Sequence, residues 1–470
     1  MLNRGRRNAQ PTEQTALTRF AGWKQQKQIT SKPPERAPVK IHWPDESHER
    51  LNAARGRLEV AREILQDRGS ESVLAVLAQV LDDWQQVESP WRTRLAEELD
   101  RSGGFPARLT QAGLNLGLEA WSGDALRETI EREQAALLSG SGRQWVPFSS
   151  THIVLAGSIP MPSLLQPILS IACLSPVLVK PSSRDAVTAP LLAESIRDVD
   201  EEIGAALEVV SFPSHDEAGL NLFLDSPCIV ASGHDATIRS LADRLQSTTR
   251  LVAYGHRLSI VVIDSEFLSD DLSGLAQEIA LDGVLWDQQG CLSPAALYVA
   301  GPNSAEGVAR LGPAIAKALE DLTETLPPGG IEPQTATQIV HERDQAALRS
   351  AAGSATAVLS GADTSWTVVL EGDNLWRPCP GHRFLRLYPV EDRQELEIAL
   401  APIGPHLSTA ALAAPPHSRP ELANTLLALG ATRICRPGRM QAPPLDWPHD
   451  GQSLLAPLVR VTQQEPDQSG

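Results

Sequence analysis

The chain is poor in cysteine and in lysine. Its five cysteines (Cys173, Cys228, Cys291, Cys379, Cys435) are scattered and form no CxxC pair. That excludes a disulfide scaffold and a zinc ribbon, and it fits a reducing, cytoplasmic compartment. No cluster of His, Cys, Asp and Glu has metal-ligand spacing, so no metal is expected. No apolar run approaches the roughly 18 residues that would cross a bilayer, and the basic N-terminus is not followed by the apolar core of a secretory signal. Basic charge is in deficit: 41 Lys+Arg face 58 Asp+Glu, a net charge of −17. A general nucleic-acid binder would need the opposite. There is no GxGxxG and no internal repeat. What remains is ordinary for a globular protein, with 42% hydrophobic and 21% charged residues in 470, enough chain for two or three domains.

The pattern changes along the chain. Residues 1–40 hold nine Lys/Arg and two Asp/Glu, with much Gln, Pro and Thr; the reading is a flexible basic tail over 1–45. Residues 47–137 carry apolar positions at helical spacing (Leu51, Leu58, Ala61, Leu65) and form a helical layer. From 150 onward short apolar runs alternate with helical stretches: His152–Ala156, Val177–Lys180, Glu208–Phe212, Cys228–Ala231 and Ser259–Ile263. That alternation predicts an α/β fold with a parallel sheet covered on both faces, in a Rossmann-like layer. A second α/β unit is expected over 266–436, with strands near Leu297–Ala300, Ala355–Leu359, Trp366–Leu370, Phe384–Tyr388 and Thr432–Cys435. The Pro-rich end, 437–470, is expected to be extended and to pack back on the body. The domains are thus the tail, 46–265 with the helical layer and cofactor sheet, 266–436 with the second α/β unit, and the C-terminal segment.

Three places can carry chemistry. In Trp286-Asp287-Gln288-Gln289-Gly290-Cys291-Leu292-Ser293-Pro294 a helical stretch ends in polar residues, then a glycine and a cysteine precede a strand. Gly290 leaves room for a substrate carbonyl beside the sulfur, and a thiolate is suited to acyl transfer. The other four cysteines are read as small buried hydrophobes. In Val177-Leu178-Val179-Lys180-Pro181-Ser182-Ser183-Arg184 a lysine ends a buried strand, where a doubly wound sheet binds its nucleotide. Beyond Lys40 the chain has only Lys180 and Lys317, so a lysine there stands out. Lys180, Ser182 and Ser183 can contact an adenosine ribose or its 2′-phosphate. The turn Ala231-Ser232-Gly233-His234-Asp235 can offer backbone N–H groups to a pyrophosphate.

Taken in order, the Lys-Pro-Ser turn, the Ser232-Gly233 turn, the glycine turn Tyr254-Gly255-His256-Arg257 and then Gly290-Cys291 resemble the aldehyde dehydrogenase superfamily. Asp287–Pro294 resembles its fatty-acyl reductase branch, which includes the acyl-CoA reductase component of bacterial luminescence systems. The resemblance spans roughly residues 120–450. It implies an aldehyde-dehydrogenase-like fold, a Rossmann-like cofactor domain with a second α/β catalytic domain, and a homo-oligomer. It also implies NADPH-dependent reduction, with NADH as the alternative cofactor, of a long-chain acyl-CoA or carrier-bound thioester to a fatty aldehyde. Acyl-transfer enzymes are the candidate protein partners. Carried over, Cys291 is the nucleophile, Lys180 with Ser182 holds the ribose, and Ser232 with Gly233 lies near the pyrophosphate.

Several family groups are missing. Hydrolytic members carry a Glu before the glycine turn; Arg250–His256 holds no carboxylate, which suits a reductase that must not hydrolyse its acyl-Cys. The oxyanion Asn would fall near Ile159–Pro162, which offers no amide. The Cys291 backbone N–H and Gln288 or Gln289 are the candidates to replace it. The ribose-binding Glu would fall near Cys379–His382 and is also absent. His256 is the candidate acid/base in place of the lost Glu, and His449 is read as a tail contact. Two alternatives stay open: oxidation of an aldehyde to an acid, and a non-catalytic partner in an acyl-transfer complex.

Overall fold

The computed structural model describes residues 47–140 and 142–465; the expected basic tail lies outside them. The described residues open with four helices. α1 (Ser47–Gln85) buries Leu51, Leu58 and Leu65 along one face and turns at Gly69, whose φ of 75° suits a glycine. α2 (Pro90–Arg101), α3 (Ala107–Gly117) and α4 (Gly123–Leu137) complete the layer, and the Ser122 side chain caps α4 at the Ala125 N–H.

After β1 (Arg143–Pro147) the chain builds a parallel sheet. β2 (Thr151–Val154), α5 (Pro160–Ala172), β3 (Val177–Lys180), α6 (Thr188–Val199), the single turn α7 (Glu201–Gly204), β4 (Leu207–Val209), α8 (Glu217–Leu224), β5 (Cys228–Ser232), α9 (Asp235–Ala242) and β6 (Arg250–Tyr254) follow in sequence. The strand order is β4-β3-β2-β5-β6, every pair parallel. β2 and β3 are buried throughout, which is why their sequences are continuous apolar runs.

The second sheet starts at once. β7 (Leu258–Asp264) is followed by α10 (Ser273–Val284), β8 (Pro294–Ala300), α11 (Ser304–Thr325), α12 (Pro333–Ala351), β9 (Ala357–Ser360), β10 (Thr367–Leu370), β11 (Phe384–Val390), α13 (Arg393–Leu400), β12 (Leu407–Ala413), α14 (Arg419–Ala428) and β13 (Arg433–Cys435). Its order is β13-β12-β7-β8-β11-β10-β9, parallel except for the β9 edge. The run Ser259–Ile263, expected in the first sheet, therefore lies at the centre of the second, paired with β8 and β12. A strand buried on both faces fits either sheet, so its apolar pattern cannot tell which. β12 was not foreseen: Leu407–Ala413 is dominated by small residues and follows a Pro-Gly-Pro-rich turn.

The link from β6 to β7 is only Gly255-His256-Arg257. Three residues reach at most about 14 Å between the flanking Cα atoms. The carboxyl edge of the first sheet is thus held against the amino edge of the second, where β7, β8 and β12 begin. The C-terminal stretch fills the same joint. Met440, Leu445, Leu454, Leu455 and Leu458 join the main core, and β14 (Val459–Gln463) pairs antiparallel with β1.

Candidate active site

Cys291 sits three residues before β8, at the edge facing the first sheet, and is exposed. The loop that carries it is strained: Trp286, Asp287 and Gln288 all have positive φ, at 57°, 47° and 58°. Each such non-glycine residue costs on the order of 1–3 kcal/mol. Its neighbours offset that cost. The Trp286 ring is buried edge-on to Phe105, centroids 5.4 Å apart. The Asp287 carboxylate pairs with Arg383 at 2.7 Å, both side chains fully buried, and accepts the Gly329 N–H at 2.8 Å. Gln288 donates to the carbonyls of Pro294 and Phe384, both at 2.7 Å, and accepts the Phe384 N–H at 2.6 Å. Its polar atoms are therefore spent on the backbone, and the Gln288 amide is not available to a substrate.

Gln289 is different. It is exposed, and its Oε1 accepts a hydrogen bond from the Ser158 hydroxyl at 2.7 Å. Ser158 and Ile159 lie between β2 and α5, the region where the family's amide is missing. A Cβ on Gly290 would stand 2.6 Å from Ile159 Cδ1, so any larger residue here would push the Ile159 side chain aside. On the other flank, the Ser259 hydroxyl donates to the Cys291 carbonyl at 2.6 Å, and Gln441 donates to Ser293 Oγ at 3.0 Å.

The Cys291 thiol is pushed up to about 12, first by desolvation and then by the negative charge of Asp450; backbone N–H groups and Arg257 act the other way. Because Cys291 is open to solvent, water offsets part of the desolvation, and the Asp450 charge is the specific contribution. The carboxylate of Asp450 and its partner Arg257, 3.1 Å apart, were not singled out in the sequence. Nothing local marks them; the fold brings them from the C-terminal stretch and the β6–β7 link.

The cofactor candidates gather at the carboxyl edge of the first sheet. Lys180 ends β3, is 8% exposed, lies 5.1 Å from the Phe212 ring centroid and reaches Ser214 Oγ at 3.5 Å. Among the described residues it forms no ion pair, and burial lowers its pKa. A buried ammonium with no carboxylate beside it suits an anionic or hydroxyl-bearing ligand. Ser182 accepts the Arg184 N–H at 3.1 Å, and Ser183 is exposed. Ser232 closes β5, and the Gly233 N–H donates to the Tyr254 carbonyl at 3.1 Å. These residues fit a dinucleotide laid across the strand ends.

His256 stands with the cofactor turn. Its ring lies 6.1 Å from His234 and 5.7 Å from His406, and its backbone N–H donates to the Asp235 carboxylate at 2.8 Å. Burial and the neighbouring histidines lower its pKa. The charges that bear on Cys291 come instead from Asp450 and Arg257. His449 stacks on Tyr254 at 4.6 Å. Cys173 and Cys228 are buried, while Cys379 and Cys435 are half-buried. Among the described residues no group of His, Cys, Asp and Glu has metal-binding geometry, and no helix is long and apolar enough to cross a membrane.

Solved structures share the fold. An indole-3-acetaldehyde dehydrogenase bound to NAD+ matches with a TM-score of 0.65 at 15% identity, covering 88% of each chain. Aldehyde dehydrogenase 21 of Physcomitrella patens matches at 0.64 and 13%, covering 90% of this chain and 92% of that one. By sequence, the long-chain acyl-protein thioester reductase of Photorhabdus laumondii is 24% identical over 233 residues, 46% of this chain and 48% of that one. The enzyme of the same name from Photobacterium phosphoreum is 23% identical over 236 residues, 47% of each. The chain thus aligns with about half the length of these relatives. The sequence pattern of the acyl-CoA reductase (LuxC) family matches residues 65–461, and with an aldehyde-dehydrogenase fold and an exposed cysteine where its two sheets meet, the chain belongs to that family.

Proposed function

We propose that the protein reduces a long-chain acyl thioester to an aldehyde through an acyl-Cys291 intermediate. The observation that carries this reading is the exposed Cys291 on a strained, multiply anchored loop, opposite a strand edge where, among the described residues, Lys180 has no acidic partner. The Cys291 sulfur attacks the thioester carbonyl, and the departing thiol leaves with a proton. The developing oxyanion has the Cys291 backbone N–H and the Gln289 amide as donors. Lys180, Ser182 and Ser183 hold the adenosine ribose, and Ser232 and Gly233 lie along the pyrophosphate. Among the described residues Lys180 has no ion-pair partner, which leaves its ammonium for a 2′-phosphate and favours NADPH over NADH. When bound there, NADPH would supply the hydride that converts the acyl-Cys291 carbonyl to an aldehyde and frees Cys291.

The test is incubation of the full chain with palmitoyl-CoA, with and without NADPH, read by intact mass. An adduct on Cys291 that disappears with aldehyde release on adding NADPH is expected, and Cys291→Ala should abolish it. An unmodified wild-type chain overturns the reading. One observation supports a second reading, oxidation of aldehyde to acid: Asp450 is a carboxylate near the thiol. Acid release from decanal and NADP+ would favour it.

A further inference from the structure

Ser259, near the start of β7, is fully buried, and the parallel ladder slips on both sides of it. Towards β12, Leu258 faces Leu407 but Ile260 faces Ala410; towards β8, Ser259 faces Pro294 but Ile260 faces Ala296. Each neighbouring strand thus carries one residue more than β7 at this level. Bulges are rare in parallel pairs, and the extra residue is left out of the ladder. Here the Thr409 N–H donates to Ser259 Oγ at 3.2 Å, and the Ser259 hydroxyl donates to the Cys291 carbonyl at 2.6 Å. That carbonyl is the central one of a tight turn. The Ser293 N–H donates to the Gly290 carbonyl at 3.0 Å, so Cys291 and Leu292 are the two middle residues. Neither has a positive φ, which makes the turn type I. Types I and II differ by a half-turn of the peptide that joins the middle residues. A peptide N–H points opposite to its C=O. With the Cys291 carbonyl drawn inward to Ser259, the Leu292 N–H faces away from β7. It is one of the two N–H groups that favour the Cys291 thiolate.

We propose that Ser259 is a positioning residue for Cys291: its hydroxyl locks the central peptide of the reactive turn and keeps the Leu292 N–H directed at the sulfur. The proposal rests on the reading of Cys291 as the acyl-accepting nucleophile. Two things oppose a flip of that peptide. Leu292 would have to take a positive φ, which its Cβ disfavours, and the Cys291 carbonyl would leave its donor. The bulge serves the lock. A regular ladder would give the Thr409 N–H to a backbone carbonyl; here it occupies Ser259 Oγ, and the single hydroxyl proton is turned to Cys291. Gln441 holds the far end of the turn through Ser293 Oγ. Ser259 carries no charge and acts on the sulfur only through the turn. The charged groups that bear on Cys291 are Asp450 of the C-terminal stretch and Arg257 of the β6–β7 link, and every variant below keeps both.

Ser259→Ala removes the lock. Alkylation of Cys291 by iodoacetamide, mapped by mass, and acylation by palmitoyl-CoA should both slow at neutral pH by about 2- to 10-fold, the worth of one ordinary hydrogen bond. The alkylation profile should move to higher pH by up to about one unit, with the KM for thioester little changed. Leu292→Gly opens the flipped turn to the chain. The double variant S259A/L292G should therefore lose more than the product of the two single losses, by about fivefold or more. Losses that merely multiply overturn the proposal, and so does an S259A profile that matches wild type. Ser259→Thr and Ser259→Val share one shape and differ in the hydroxyl, so they carry the test if S259A does not fold. S259T should be alkylated faster than S259V by about the same 2- to 10-fold, and equal rates overturn the proposal. The alkylation arm needs no acyl substrate. If it behaves as expected while palmitoyl-CoA leaves the wild type unmodified, the lock is supported and the acyl reading of Cys291 is overturned. If palmitoyl-CoA acylates the wild type but the hydroxyl changes neither rate, the acyl reading stands and the lock is overturned.

Discussion

The hydrogen bond from Ser158 to Gln289 Oε1, at 2.7 Å, decides which way the Gln289 amide faces. With the oxygen occupied, both N–H bonds are left to donate, as an oxyanion needs. Gln289→Glu puts a negative charge there and should slow acylation of Cys291 by about 100-fold or more, comparable with losing an oxyanion donor. Ser158→Ala only frees the amide to rotate and should cost about tenfold, with the KM for thioester little changed. Equal single-turnover rates in Q289E and wild type would remove Gln289 from the site. Cys291 and Lys180 were legible in the sequence because each breaks a local habit of the chain: a glycine-flanked sulfur in a polar segment, a lysine in a chain that uses arginine. Ser158 and Asp450 were not, since no local pattern marks them and both partnerships exist only once the two sheets meet. Gln288 and Gln289 are neighbours of the same type. Only burial separates the one locked to Phe384 from the one open to solvent.

Helix α3 shows how a distant element shapes the reactive loop. Gly113 lies within it, where alanine would ordinarily stabilise by about 1 kcal/mol through helix propensity. Here the added methyl would stand 2.3 Å from Trp286 Cζ2 and 2.5 Å from Cε2. The indole is fully buried against Phe105 and anchors three residues of positive φ, so it has little freedom to retreat. Overpacking of this kind costs about 1–3 kcal/mol or more, which outweighs propensity. Gly113→Ala should therefore destabilise the protein in urea denaturation and also lower the rate of Cys291 alkylation. A stabilised G113A would show that the loop does not lean on α3. The sequence of the helical layer does not show this contact, because a glycine in an amphipathic helix says nothing of what presses on it. The alternating strands and helices of the first sheet were legible for the opposite reason. Burial on both faces imposes unbroken apolar runs, although the same property hid which sheet Ser259–Ile263 joins.

Across the whole molecule, two buried titratable groups tilt stability in opposite directions with pH. Asp282, on α10, accepts the N–H groups of Gly438 and Met440 at 2.6 and 3.0 Å and is raised by burial to about 7. Folded protein then holds more protons than unfolded chain between about pH 4 and 7, so this group's contribution falls as pH rises through that window. His152 on β2 does the reverse. Its ring is 1% exposed, Nδ1 lies 2.6 Å from the Phe223 carbonyl, and burial lowers its pKa from 6.5 to about 4. Unfolded chain takes up the proton first as pH drops from 6.5 to 4, so the His152 contribution is present above that window and is lost on acidification. The shift corresponds to about 3 kcal/mol at most. A wild-type profile mixes the two slopes, but the difference between wild type and a His152 variant does not, because both proteins keep Asp282. His152→Asn retains a donor for Phe223 and removes the titration. At pH 8 the variant should be less stable by about 1–2 kcal/mol, from lost packing and a weaker hydrogen bond. Between pH 6.5 and 4 that gap should close or reverse in urea denaturation, as the wild type alone is penalised for keeping a neutral imidazole. A gap that stays constant over the range would mean that His152 is protonated alike in the folded and unfolded chain.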